Sequence, residues 1–174
     1  MPIQRFDRAR VEALIARASE RLAGGWLLVG GGAAAIWFAP ARTTEDLDLI
    51  GLAGTQDERL ALMELAAEAS IPIEAVNSAA AYFVRKIDDW RDHLVELARG
   101  ANATIYRPTA TLFLLLKLAR LSEADLEDCL ALLLYCATHG EKIDRERVRT
   151  RLVTLPETDD DALRTRREAL LAAL

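Results

Sequence analysis

Residues 27–50, LLVGGGAAAIWFAPARTTEDLDLI, decide the fold of this chain. The apolar run over residues 26–29 ends in three glycines, and a stretch of small residues follows as far as Pro40. A polar segment then leads into DLDLI at residues 46–50. This order predicts a strand, a glycine turn, a short helix and a second strand that begins with Asp-x-Asp.

Asp46 and Asp48 are the candidate ligands of a metal ion. Side chains alternate along a strand, so two residues spaced by two share one face. Two carboxylates on one face, with no basic residue between them, repel each other unless a cation lies there. Mg²⁺ usually takes one or two carboxylates together with substrate phosphates. We therefore expect Asp46 and Asp48 to hold Mg²⁺, or Mn²⁺ in its place.

Gly30, Gly31 and Gly32 form the candidate phosphate-binding turn. Glycine lets the backbone adopt positive φ and approach a ligand closely. The helix that begins after the turn directs free N–H groups and the positive end of its dipole toward the same region, which suits phosphate. The turn and the aspartate pair together predict a site for a nucleoside triphosphate and its metal.

A different nucleotide site also fits part of this pattern. Gly30, Gly32 and Ala35 satisfy the dinucleotide fingerprint G-x-G-x-x-G/A after a strand. That fingerprint requires one acid about 20 residues farther on, near the end of the next strand. Here two acids come earlier, at the start of that strand, and the chain is short for a dinucleotide domain with a substrate domain. The triphosphate interpretation is therefore favoured.

Phosphoryl chemistry with metal ions commonly needs a third acid. Glu74 is the candidate, because it lies between apolar neighbours in residues 71–76, IPIEAV, which predict a third strand. An exposed glutamate on an edge strand is the alternative interpretation. Both interpretations stay open from the sequence.

Lys117 interrupts an otherwise apolar helix predicted over residues 111–121. Such a lysine is usually partnered or extends its amine to solvent. Arg120 precedes the next turn, and Asp125 and Asp128 lie one turn apart on the following helix. The set predicts either a structural ion-pair network or a triphosphate contact by Lys117, with Asp128 orienting it. We interpret Asp125 as a stabilising negative charge at the start of that helix, and Ser122 as its N-cap.

Composition excludes several classes. The chain has 174 residues, 52% of them hydrophobic, and a net charge of −5, which argues against a dominant nucleic-acid surface. No apolar run approaches the roughly 20 residues of a membrane span, and the sequence MPIQRFDRARVEAL has no signal-peptide core. We expect a cytoplasmic protein with no membrane partner.

Cys129 and Cys136 lie two turns apart on a predicted helix, too far for a disulfide, so we expect buried thiols.

The remaining patterns predict an α/β (α+β) fold in which a small mixed sheet is flanked by helices. Residues 1–108 form the α/β core, and residues 109–174 form a C-terminal helical bundle packed on it. Further predicted elements are helices over residues 6–22, 31–38 and 57–69, a short helix or irregular segment over 79–89, a hairpin of 93–98 with 103–106, and helices beginning at Ser122, Asp144 and Thr158.

The chain resembles the nucleotidyltransferase superfamily related to DNA polymerase β, and within it the abortive-infection type (AbiEii-like) and related bacterial nucleotidyltransferases. The likeness spans roughly residues 24–135. Four stretches carry it: the glycine motif at 29–33, the R-x-T-x-D-[IL]-D-L motif at 42–49, the third-acid strand at 73–75, and K-x-x-R with D-x-x-D at 117–120 and 125–128. Gly31 stands where many superfamily members have serine.

This resemblance implies a nucleotidyltransferase fold and Mg²⁺-dependent transfer of a nucleoside monophosphate from a nucleoside triphosphate. Asp46 and Asp48 would bind the metal, and Glu74 or Asp128 would assist the acceptor hydroxyl. The implied nucleotide-binding residues are Gly30, Gly31, Thr44, Lys117 and Asp128.

Proteins of this type often belong to toxin–antitoxin pairs and modify tRNA or protein, so the expected partners are a tRNA or protein acceptor and a cognate toxin or antitoxin. Two alternatives stay open. One is a nucleotide-binding or partner-binding module of the same fold without transfer activity. The other is transfer to a cationic small molecule such as an aminoglycoside, which the negative net charge would attract.

Overall fold

The computed structural model describes residues 5–174, and the chain divides into two compact units, Met1–Pro108 and Thr109–Leu174. The first unit alternates helices and strands. Its elements in chain order are α1 (Arg8–Arg21), β1 (Gly24–Val29), α2 (Gly30–Trp37), β2 (Leu47–Gly51), α3 (Gln56–Glu68), β3 (Val76–Asn77), α4 (Ala81–Val84), β4 (Leu94–Arg99) and β5 (Ala103–Pro108).

Across residues 5–174, the strands form one five-stranded sheet in the order β3-β2-β1-β5-β4. β1 pairs antiparallel with β2 and parallel with β5. β2 pairs parallel with β3, and β4 pairs antiparallel with β5. The predicted mixed sheet flanked by helices is therefore confirmed, and so is the hairpin, whose two strands are β4 and β5.

Small residues let α2 lie close to the sheet. An ideal Cβ placed on Gly32 would lie 2.7 Å from Leu47 Cδ2 and 3.3 Å from Leu28 Cδ1, so this helix position has no room for a side chain. The three alanines that follow, at residues 33–35, are completely buried. Because α2 begins directly after β1, this close packing fixes the glycine turn against the end of the sheet.

The hairpin turn contacts the end of α1. The Asn102 backbone N–H donates to the Ser19 carbonyl at 3.3 Å, and the Gly24 N–H donates to the Asn102 carbonyl at 3.2 Å. A Cβ on Gly100 would lie 2.4 Å from that same Ser19 oxygen. Only glycine allows the two backbones to approach this closely.

The predicted strand over residues 71–76 is wrong for most of its length. Residues Ile73–Ala75 form a 3-10 turn, and only Val76–Asn77 pair with the sheet. Pro72 has φ −54° and no N–H to give to a neighbouring strand, while its carbonyl accepts the Ala75 N–H at 2.9 Å. The local turn replaces the strand pairing that the apolar alternation suggested.

The second unit is helical, as predicted. Its helices are α5 (Ala110–Lys117), α6 (Glu123–His139), α7 (Arg145–Val153) and α8 (Asp161–Ala173). Ser122 and Asp125 form a capping box at the start of α6, and Asp144 caps α7, which confirms both predicted starts. The predicted start at Thr158 is wrong, because Asp160 caps α8 by accepting the Leu163 N–H at 3.1 Å.

Cys129 and Cys136 are buried thiols on α6 and are not joined in a disulfide, as the sequence predicts. Burial raises the pKa of the Cys129 thiol to about 12.

In the part of the chain that the structure describes, no helix combines the length and the apolar content needed to cross a membrane.

Candidate functional site

The glycine turn brings the backbone against a carboxylate. Gly30 begins α2 with φ +66°, in the left-handed region that favours glycine. An ideal Cβ on Gly30 would lie 3.4 Å from Asp48 Oδ2. The first N–H groups of a helix have no partner within the helix. The start of α2 and the Asp48 carboxylate therefore border the same space.

Thr44 fills the space next to Gly31. A Cβ on Gly31 would lie 2.8 Å from Thr44 Oγ1 and 2.9 Å from Thr44 Cβ, both closer than real Cβ contacts. Thr44 is itself fixed, because its backbone exchanges hydrogen bonds of 2.7 and 3.0 Å with Phe6, and its hydroxyl donates to the Asp46 carbonyl at 2.9 Å. The side chain of Thr44 thus explains why this position holds glycine.

Asp46 and Asp48 differ in their positions. Asp48 lies within β2, half-buried and paired in register with Val29. Asp46 is exposed in the bend before β2, which begins at Leu47. The expectation that both aspartates belong to the strand is therefore corrected: β2 begins at Leu47, and the Asp46 carbonyl accepts a hydrogen bond from the Thr44 hydroxyl.

Across residues 5–174, no group of three or more His, Cys, Asp or Glu side chains could hold a metal ion by itself. The donors near the glycine turn are carboxylate oxygens, with open space at Gly30 that a Cβ would fill. Mg²⁺ suits such a set, since it prefers oxygen ligands and completes its shell with phosphates and water. The residues present therefore fit a metal that arrives with a triphosphate.

Glu74 lies outside the strands. It occupies the 3-10 turn Ile73–Ala75 and is exposed. The residue in register with Asp48 on the neighbouring strand is Asn77. Sequence reasoning missed Asn77 because its place in the sheet depends on where β3 begins, and the apolar pattern put that strand five residues too early.

Lys117 and Asp128 come together in the second unit. Lys117 Nζ donates to Asp125 Oδ1 at 2.8 Å and to Asp128 Oδ2 at 3.1 Å. Arg120 binds Asp125 through two further hydrogen bonds of 2.7 and 2.8 Å. The Lys117 side chain is 9% exposed and that of Asp125 is 1% exposed. The sequence-predicted ion-pair network is thus present in the structure.

Asp125 is held as a carboxylate at the centre of this network. Burial alone would raise its pKa, but hydrogen bonds from Arg120, Lys117 and Ser122 outweigh burial and bring the pKa well below its usual range. Ser122 contributes both its N–H, at 3.0 Å, and its hydroxyl, at 2.9 Å. The carboxylate therefore joins the end of α5 to the start of α6.

The fold and the site agree with one class of protein. A mixed sheet flanked by helices, with a glycine turn after β1 and an aspartate on β2, is the arrangement of a nucleotidyltransferase-like fold. A family described as "Nucleotidyltransferase of unknown function (DUF6036)" matches residues 8–168, and the chain belongs to that family. No curated protein and no solved structure matches the chain.

Proposed function

We propose that the chain transfers a nucleoside monophosphate from a nucleoside triphosphate to a hydroxyl acceptor in a Mg²⁺-dependent reaction. The acceptor hydroxyl releases its proton as its oxygen attacks the α-phosphorus, the bond from that phosphorus to the oxygen bridging the α- and β-phosphates breaks, and pyrophosphate leaves. The observation that carries the proposal is the closeness of the Gly30 backbone to the Asp48 carboxylate, 3.4 Å from Oδ2 to the Cβ that Gly30 lacks.

Each residue near the turn has a defined part in this proposal. The free N–H groups at the start of α2 bind the phosphates through Gly30 and Gly31. Asp46 and Asp48 hold Mg²⁺, which when bound offsets the negative charge that develops on the phosphate oxygens. Thr44 keeps the segment before β2 against the glycine turn, since its hydroxyl donates to the Asp46 carbonyl.

Lys117 and Asp128 have the proposed role of nucleotide-binding residues. Lysine has three N–H donors, and hydrogen bonds to Asp125 and Asp128 use two of them. In this proposal, the third N–H would donate to a phosphate oxygen. Since the same ion pairs hold α5 to α6, nucleotide affinity of Lys117 variants is meaningful only where their melting temperature equals that of the wild type.

We propose a macromolecular acceptor, tRNA or protein, and a role in a toxin–antitoxin pair. The support is the resemblance of residues 42–49, RTTEDLDL, to the motif of abortive-infection nucleotidyltransferases. The family itself is described only at the level of nucleotidyltransferase. The acceptor is therefore the first thing that an experiment has to identify.

The test is incubation with each α-³²P-labelled nucleoside triphosphate and Mg²⁺, with total tRNA and cell lysate as acceptors. We expect label on RNA or on a protein band with the wild type, and at least a hundredfold less with Asp48→Asn. The matched control is Asp88→Asn, which removes an exposed carboxylate outside the site and should label like the wild type. Full transfer by Asp48→Asn, with its circular dichroism unchanged, would refute the proposal.

A non-catalytic nucleotide-binding module is the second candidate. The observation in its favour is that the strand beside Asp48 offers Asn77 where transfer chemistry with metal ions often uses an acid. This candidate predicts that the chain binds a triphosphate tightly but releases no pyrophosphate with any acceptor.

A further inference from the structure

β3 places one particular side chain next to the Asp48 carboxylate. β2 and β3 run parallel, and Asp48 is in register with Asn77, while Leu47 is in register with Val76. Residues in register on neighbouring strands point to the same face of a sheet. The same row continues to Val29 on β1, which is in register with Asp48 and directly precedes Gly30. Asn77, Asp48 and the glycine turn therefore lie in one line across the sheet.

The spacing of this row fits a shared metal site. Neighbouring strands lie about 4.8 Å apart, and the two ions of a two-metal site lie about 3.5–4 Å apart. A carboxylate at position 77 would thus be placed to hold a second cation beside the one at Asp48. Glu74 has no such place, because it is exposed on the 3-10 turn before β3 begins.

An asparagine at position 77 is a weaker ligand for a cation than a carboxylate would be. Asn77 is half-buried, and its Oδ1 accepts the Ala79 backbone N–H at 2.9 Å in a local turn. The amide is neutral, so it brings no negative charge to offset that of a second cation, and its one oxygen already accepts a hydrogen bond. The row therefore has one ionisable oxygen donor where two would fit.

We propose that Asn77 is a positioning residue that limits the site to one divalent cation per chain. The inference rests on the proposed function, since it concerns the same metal and the same triphosphate. It assigns to Asn77 the place of a third carboxylate, so that Asp48 is the one acid in this row and no second acid there takes the proton of the acceptor hydroxyl. One substitution, Asn77→Asp, would restore that acid.

The experiment counts bound Mn²⁺ by electron paramagnetic resonance in the presence of a nucleoside triphosphate analogue with a methylene group between the α- and β-phosphorus. We expect one Mn²⁺ per chain for the wild type and two for Asn77→Asp. An aspartate at this position keeps an oxygen for the Ala79 N–H, so the turn and the fold should survive. Glu74→Gln is the matched control and should still bind one.

The outcomes separate the two proposals. Two ions on the wild type, or one ion on a folded Asn77→Asp, would overturn the inference and leave the proposed function standing. A count that falls to zero in Glu74→Gln would also overturn it, by placing the metal ligand on the 3-10 turn. Absence of any Mn²⁺ on the wild type, with or without the analogue, would overturn the proposed function itself.

Discussion

At the scale of single residues, the contact between Gly31 and Thr44 decides what the glycine turn tolerates. A Cβ at Gly31 would overlap both the hydroxyl and the Cβ of Thr44, and Thr44 is fixed by its hydrogen bonds to Phe6. The superfamily's serine at this position cannot enter here without a movement of the backbone.

We therefore expect Gly31→Ser to lower the free energy of unfolding by about 1–3 kcal/mol, which is the usual cost of overpacking. Urea denaturation followed by circular dichroism measures the change. The control is Ala41→Ser, which adds the same hydroxyl at an exposed position on the neighbouring loop and should leave stability unchanged. Equal stability of Gly31→Ser and the wild type would show that Thr44 does not restrict this position.

Single residues also explain how far the sequence could predict the site. The sequence identifies Gly30 and Asp48, because glycine runs after a strand and Asp-x-Asp before an apolar run are local signals. Asn77 carries no local signal, since its place beside Asp48 comes only from pairing with a residue 29 positions earlier. The sequence predicts a strand that begins at Asp46, one residue before the observed start of β2, because the alternation of polar and apolar residues extends past the strand pairing.

At the scale of elements, Asp125 links α5 to α6. It accepts hydrogen bonds from Lys117 at the end of α5, from Arg120 in the turn that follows, and from Ser122 at the start of α6. Arg120 is exposed, so its contribution is screened by solvent, while Lys117 and Asp125 are buried. Removal of the carboxylate would leave the Lys117 ammonium buried with Asp128 as its remaining acidic partner among these contacts.

We expect Asp125→Asn to lower the free energy of unfolding by about 3–5 kcal/mol at pH 7, the cost of breaking a buried ion pair from one side. Because the pKa of Asp125 is lowered in the folded chain, its contribution is present in full above the unfolded pKa of about 3.9. The contribution is lost as the pH falls below that value toward the folded pKa. The difference between wild type and variant should therefore shrink in acid.

Urea denaturation of both chains between pH 7 and pH 3 measures this trend. Asp159→Asn, which changes an exposed carboxylate of the second unit, is the control and should show no such pH dependence. A difference between the wild type and Asp125→Asn that stays constant down to pH 3 would contradict the role given to the ion pairs.

Element boundaries show the same division between local and distant causes. The capping box at Ser122 and the cap at Asp144 depend only on residues within three positions of each helix start. The sequence therefore predicts both starts. The 3-10 turn at Ile73–Ala75 depends on the hydrogen bond that the Pro72 carbonyl accepts. The apolar pattern carries no information on that hydrogen bond, so it predicts a strand there.

At the scale of the whole molecule, burial controls the chemistry of the two thiols. Cys129 and Cys136 are buried, and the pKa of the Cys129 thiol is raised to about 12. A thiol reacts as its thiolate, so we expect no labelling by 5,5′-dithiobis(2-nitrobenzoate) at pH 8 within minutes in the native state. Both thiols should react at once in denaturing urea. Rapid labelling of one thiol without urea would show that α6 opens locally rather than with the second unit.

The class of the protein also emerges only at this scale. The family match covers residues 8–168, which includes nearly all of both units, whereas the motifs that the sequence offers are short and individually weak. The net charge of −5 is a property of the whole chain and does not identify the acceptor. Labelling of acceptors, rather than any residue pattern, is therefore the route to the substrate.

The outer strand β4 has a consequence for the behaviour of the protein in concentrated solution. β4 lies at one end of the sheet, and its pairing with β5 shifts between Glu96 and Ala98. Glu96 and Arg99 form an exposed ion pair on the same strand. A bulge and charges of this kind make a poor template for a strand from another copy. This border of the sheet thus resists the edge-to-edge stacking from which fibrous aggregates grow.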